Sequence, residues 1–130
     1  MPQPKKTKIL IVEDDTFLAG IYASKFEKEG FEVFLAVDGE LAVKMGQKEK
    51  PDIVLLDILL PKLDGFEVLE KLKADNSTKQ IPVILLINLG QKEDVDKGLK
   101  LGAADYLIKA HFMPSETVDK VKKVLGAAGK

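Results

Sequence analysis

The chain has 130 residues, 45% of them hydrophobic and 32% charged, and its 20 basic and 21 acidic side chains leave a formal net charge of -1. That balance favours neither the disordered class nor a general nucleic-acid binder, and the absence of cysteine rules out disulfides, thiolate metal sites and a thiol nucleophile. No apolar run approaches the roughly 18 residues that span a bilayer, and the opening MPQPKKTK lacks the apolar stretch of a signal peptide, so the expectation is a soluble, cytoplasmic protein.

In chain order, KILIV (Lys8 to Val12) reads as a strand running straight into Glu13, Asp14 and Asp15. Phe17, Leu18, Ile21, Tyr22 and Phe26 then form a helical stripe, closed by Gly30. FEVFLAV (Phe31 to Val37) is a second strand whose partial alternation suits a sheet edge. Asp38 and Gly39 precede a helix carrying Leu41, Ala42 and Met45. DIVLL (Asp52 to Leu56) is a third strand ending at Asp57, a lone carboxylate inside the apolar run VLLDILLP. Asp64 caps the next helix, with Phe66, Leu69 and Leu72 on its apolar face. PVILLI (Pro82 to Ile87) is the fourth strand, followed by a sparser stripe at Val95 and Leu99 and a stop at Gly102. DYLI (Asp105 to Ile108) ends at Lys109, and Pro114 with Ser115 opens a last helix through Val118, Val121 and Leu125.

Continuously apolar strands alternating five times with amphipathic helices predict an α/β fold, a doubly wound five-stranded parallel sheet with helices on both faces. One domain over 1–130 is expected, with mobile tails at about 1–6 and 126–130. Ligands of such sheets gather at the carboxyl ends of the strands. Glu13, Asp14, Asp57 and Lys109 all arrive at that edge. Crowded carboxylates repel one another unless a cation neutralises them, and an all-oxygen donor set without His or Cys favours Mg2+ over Zn2+. A carboxylate is ionised at neutral pH, so Asp57 can attack phosphorus without a general base, the product being an aspartyl phosphate. The competing reading is that Glu13, Asp14 or Asp15 simply caps the first helix.

Across nearly its whole length the sequence resembles the receiver domain of two-component response regulators. The resemblance rests on IVEDD, on LLDILLPKLDG with Pro61 four and Gly65 eight residues after Asp57, and on GAADYLIKA. It implies a flavodoxin-like sheet of order 2-1-3-4-5, Asp57 as phospho-acceptor, and Mg2+ held by Glu13, Asp14, Asp57 and the carbonyl of Leu59. It further implies a phosphate-binding Lys109 and a switch pair at Ile87 and Tyr106. Such a module is not an enzyme. Its partners would be a sensor histidine kinase or phosphotransfer protein and an unknown downstream target, with no direct nucleic acid and no membrane, as a monomer or weak homodimer. No output domain follows in the chain, which reads as a stand-alone receiver. Its signalling face would include Leu99, Lys100, Tyr106 and Val118.

Two positions depart from the family pattern. Ile87 stands where receivers carry Thr or Ser, so the hydroxyl that binds the phosphoryl group is missing; the amide of Asn88, the next residue, could substitute, but a neighbouring strand residue points to the opposite face, which weighs against it. The expectation is that Asp57 is still phosphorylated while coupling to Tyr106 is weakened. Ala110 replaces the usual proline after the lysine, which predicts a different KAHFMP loop. His111, in that loop, reads as a solvent-facing residue. Leu59 and Leu89 occupy the places that tune hydrolysis and, being apolar, predict slow autodephosphorylation; burial in the core is their alternative. A flavin carrier is disfavoured by the acidic EDDTF loop. A haloacid dehalogenase type phosphatase is disfavoured by Leu59 in place of a second acid. A pseudo-receiver that binds protein without phosphorylation is the remaining alternative.

Overall fold

The computed structural model describes residues 6–88, 92–109 and 114–128. The expectations for Leu89, Ala110 and His111, and for the tails at 1–5 and 129–130, therefore lie outside the described residues. Ten elements follow one another: β1 (Lys8–Val12), α1 (Thr16–Lys28), β2 (Glu32–Ala36), α2 (Gly39–Glu49), β3 (Ile53–Asp57), α3 (Gly65–Ala74), β4 (Val83–Ile87), α4 (Lys92–Lys100), β5 (Asp105–Ile108) and α5 (Pro114–Ala128). The strands form one parallel sheet of order β2-β1-β3-β4-β5, with β2 at an edge.

Successive side chains of each strand leave opposite faces, and both faces are covered. Leu10, Val12, Val54, Leu56, Val83, Leu85 and Ile87 pack with Ala42, Val68, Leu69 and Leu72 of α2 and α3. Ile9, Ile11, Ile53, Leu55, Ile84 and Leu86 pack with Tyr22, Phe26, Val118 and Val121 of α1 and α5. Burial on both sides is why these strands are written without polar alternation. Each such aliphatic side chain contributes about 1.5–3 kcal/mol when fully buried.

The first three helices start on carboxylates. Asp15, Asp38 and Asp64 accept from the amides of Leu18 (3.1 Å), Leu41 (2.8 Å) and Glu67 (3.0 Å), and Asp64 with Glu67 forms a capping box. Gly30 and Gly102 turn the chain after α1 and α4 with φ of 93° and 108°, in the left-handed region that favours glycine.

Several expectations need correction. Phe17 is 79% exposed although it lies on the periodic stripe: it falls in the first turn of α1, ahead of Leu18, Tyr22 and Phe26, which pack on the sheet, and Ala19 is buried in the helix instead. In α4 the stripe through Leu99 fails. Leu99 is exposed, and the buried residue is Gly98, where a Cβ would overlap Leu85 Cδ1. The helix therefore lies flush on β4 through a missing side chain, which hydrophobic periodicity does not register. Val118 is buried with Tyr22 and Phe26, not on the face assigned to signalling. The expected tail from Gly126 is helical as far as Ala128. Among the described residues no helix is long and apolar enough to cross a membrane.

Candidate functional site

Strand alternation brings the functional side chains to one place. Glu13 continues the row of Ile9 and Ile11, Asp57 that of Ile53 and Leu55, and Lys109 that of Leu107; all these apolar residues pack on the α1 and α5 side. The amide of Glu13 donates to Ala36 O at 3.0 Å, extending the β1–β2 ladder one residue past the strand. One end of the sheet thus carries an acid from each of two adjacent strands, plus Asp14 from the turn into α1.

After Asp57 the chain folds back sharply. Asp57 Oδ1 accepts from the amide of Leu59 at 3.0 Å, and Gly65 N donates to Ile58 O at 2.9 Å. A Cβ at Gly65 would overlap the backbone of Asp57 and Ile58, so the glycine eight residues after the acid is a packing requirement. Pro61 O accepts from Gly39 N at 3.3 Å and Leu63 N at 2.9 Å. Lys62, with φ of 69°, pairs with Asp38 at 3.6 Å. The loop is therefore bolted to the start of α2, which fixes the peptide that holds Asp57 in place.

The electrostatics are those of a cation site. Carboxylate oxygens of Glu13, Asp14 and Asp57 all lie within 4.8 Å of one another; Glu13 and Asp57 are buried and Asp14 is exposed. Lys109 Nζ sits 2.8 Å from Asp57 Oδ2, to which it donates, and 2.9 Å from Glu13 Oε1. One ammonium pairs with two of the three carboxyl groups. Burial pushes the Glu13 carboxyl up to about 7 against the pull of Lys109, and the neighbouring Asp57 charge adds to the rise. Lys109 is held above its ordinary value: burial opposes its charge, but its hydrogen bond to Asp57 and its close charge contacts with Asp57 and Glu13 outweigh it. Burial also raises the Tyr22 hydroxyl, with the Glu13 and Asp57 charges adding to it.

Glu13 Oε2 accepts from the amide of Asp15 at 3.2 Å, whereas Oε1 is buried and accepts no hydrogen bond; its contact with Lys109 is an ion pair without hydrogen-bond alignment. A buried carboxylate oxygen of this kind, beside two further carboxylates, fits a hard divalent cation. Helix capping falls to Asp15 alone. Glu13 and Asp14 are left for the cluster.

The structure separates the other expected residues from this row. Leu59 is 53% exposed, so core burial does not explain it. Ile87 is buried on the opposite face of the sheet, in the cluster against which half-buried Tyr106 and Ile108 pack. Asn88 is exposed at the end of β4. Three features escaped sequence reading: the Leu59 amide on Asp57, the Asp38–Lys62 bolt and the proximity of Tyr22 to the acids. Of these only Tyr22 left a trace, as a polar group within a helix's apolar stripe.

Comparison with known proteins points the same way. Residues 9–122 match the response regulator receiver domain family. The alkaline phosphatase synthesis transcriptional regulatory protein PhoP of Bacillus subtilis is 39% identical over 118 residues, covering 91% of this chain and 48% of the relative. The chain spans about half the length of the curated relatives it matches. A response regulator of Chloroflexus aurantiacus superposes with a TM-score of 0.88 at 34% identity, covering 94% of this chain and 99% of that one. The receiver domain of sensor histidine kinase PA1611 from Pseudomonas aeruginosa PAO1 does so with 0.85 at 28% identity, covering 94% and 99%; that structure has a magnesium ion coordinated in its active site cleft.

Proposed function

The chain belongs to the response regulator receiver domain family, and from that premise we propose that it is a phospho-accepting module of a two-component relay, with Asp57 as acceptor. Receivers of this family are signalling modules that work with histidine kinases. The observation that carries the reading is the meeting of Glu13, Asp14, Asp57 and Lys109 at one end of the sheet.

In the proposed reaction a carboxylate oxygen of Asp57 forms a bond to phosphorus as the bond from phosphorus to the donor breaks, the electron pair leaving with the donor. The donor is a phosphohistidine nitrogen or the acetate oxygen of acetyl phosphate. Glu13, Asp14 and Asp57, with the carbonyl of Leu59, would hold Mg2+. Mg2+ would supply neutralisation of the phosphoryl oxygens. Lys109, already on Asp57 Oδ2, stays with the acid and neutralises charge there. The Leu59 amide holds the other carboxylate oxygen and fixes the orientation of the group. The Leu59 side chain, two residues after Asp57 and exposed rather than buried in the core, would hinder an attacking water and so favour a long-lived phosphoryl group.

Incubation with acetyl phosphate and Mg2+, read by intact mass, tests this. The wild type gains one phosphoryl group and Asp57→Ala gains none; equal labelling of both, or of neither, refutes it. Binding of a partner protein without labelling would favour the pseudo-receiver, for which Ile87 is the supporting observation.

A further inference from the structure

The phosphoryl group that Asp57 would receive has three oxygens to satisfy. Lys109 supplies one cation, and the acidic cluster provides for a metal. The family's third donor, a hydroxyl at the end of the fourth strand, is absent, because Ile87 stands there. Ile87 moreover turns away from the acids, since it packs with Val83, Leu85, Tyr106 and Ile108 in the core on the other face.

The next residue has the opposite parity. Ile84 and Leu86 pack on the side of Ile53, Leu55 and Leu107, whose rows lead to Asp57 and Lys109. Asn88 follows Ile84 and Leu86 at the same two-residue interval, so it continues the row that on β3 ends in Asp57. Cross-strand register fixes its height. Asp57 pairs with Leu86, and the amide of Ile58 donates to Leu86 O at 3.3 Å, so Asn88 stands two residues, about 6.5 Å, further along on the neighbouring strand. A phosphoryl group on the Asp57 carboxylate would extend out of this end of the sheet, and Asn88 is exposed at the same end, just past β4.

We propose that the Asn88 carboxamide is the third donor of this receiver, its N–H replacing the missing hydroxyl on a phosphoryl oxygen. This rests on the phospho-acceptor reading above and adds a binding residue to it. The chemistry suits the place. A carboxamide offers two N–H donors and no charge, and hydrogen bonds to an ionised oxygen are the strong ones. It also has a consequence for signalling. A threonine hydroxyl would be drawn from the core that holds Tyr106, whereas Asn88 belongs to the other face, so binding of the phosphoryl group here does not pull on the Tyr106 cluster.

The test uses beryllofluoride with Mg2+ as the phosphoryl probe, titrated into the wild type, Asn88→Ala and Asn88→Asp, with affinity read by calorimetry and folding by thermal melt. Asn88→Ala is expected to weaken binding about 10-fold or more, and Asn88→Asp, isosteric but with an added negative charge, to weaken it further. Either variant binding as tightly as the wild type overturns the proposal. A wild type that binds no probe and gains no phosphoryl mass overturns the acceptor reading and this one with it. A wild type that is labelled while Asn88→Ala keeps full affinity overturns this one alone.

Discussion

Neutralising Glu13 should stabilise the metal-free protein, although it removes a member of the functional cluster. Glu13 is 1% exposed and its carboxyl titrates near 7 in the fold, against 4.5 as the ordinary value. Because the folded pKa is the higher one, the native state holds the proton between those values while the unfolded chain has lost it. Stability therefore falls as pH rises through that window. At about 1.4 kcal/mol per pH unit the loss is about 3 kcal/mol, complete somewhat above pH 7. Glu29, Asp38 and Asp75, whose carboxyl groups titrate below their ordinary values, act at lower pH and in the opposite direction. Lys109, raised from 10.5, acts at higher pH. Groups common to wild type and a Glu13 variant cancel in their difference, so between pH 5 and pH 8 that difference reports Glu13. Glu13→Gln keeps the shape and removes the charge; allowing for imperfect pairing of the buried amide, it should gain about 2 kcal/mol at pH 8, or about 8 °C in melting temperature. Thermal melts of both proteins at pH 5, 6, 7 and 8 in EDTA measure this. The curves should converge at pH 5 and separate at pH 8 with the variant higher. A wild type that grows more stable from pH 5 to pH 8, or a variant that melts lower than it at pH 8, would refute the reasoning.

Three further outcomes follow from the same geometry. A cation must displace the Glu13 proton, so apparent Mg2+ affinity should rise with pH through about 7 and level off above it, and Glu13→Gln should lack that rise; calorimetric titrations at pH 6 and pH 8 that agree for the wild type would exclude it. Ile87→Thr places a hydroxyl in the apolar cluster beside Tyr106, costing about 1–3 kcal/mol in a urea melt while enlarging the change in amide spectra on adding beryllofluoride; an unchanged spectral response would show that the missing hydroxyl does not weaken coupling. Gly98→Ala gains about 1 kcal/mol of helix propensity but drives a methyl group into Leu85, so a net loss of about 1 kcal/mol or more is expected in the same melt, and a gain in stability would mean that α4 shifts freely.

The sheet was legible because its strands are covered on both sides. Five continuous apolar runs at crossover spacing admit few arrangements, and each differs from the observed strand by no more than a residue at either end. The acids were legible for a related reason: Glu13, Asp57 and Lys109 are polar groups at the ends of apolar strands, where side-chain parity dictates the face. Helix surfaces were read less well. Phe17 and Leu99 obey a helical period but stand outside the core, since periodicity specifies a stripe and not how far the neighbouring layer extends. Gly98 shows the converse, a contact made by the absence of a side chain. The hold on Asp57 was invisible because it consists of a backbone amide and of the pair Asp38–Lys62, whose partners are distant in sequence and surface-like in composition.

The most direct measurement locates the phosphoryl group itself. After reaction with acetyl phosphate, borohydride reduction converts an aspartyl phosphate to homoserine, and peptide mapping finds its position. Homoserine at position 57 with Mg2+ present and its loss in EDTA are the predicted result. Homoserine at another acid, or labelling at Asp57 that is indifferent to EDTA, would contradict the account.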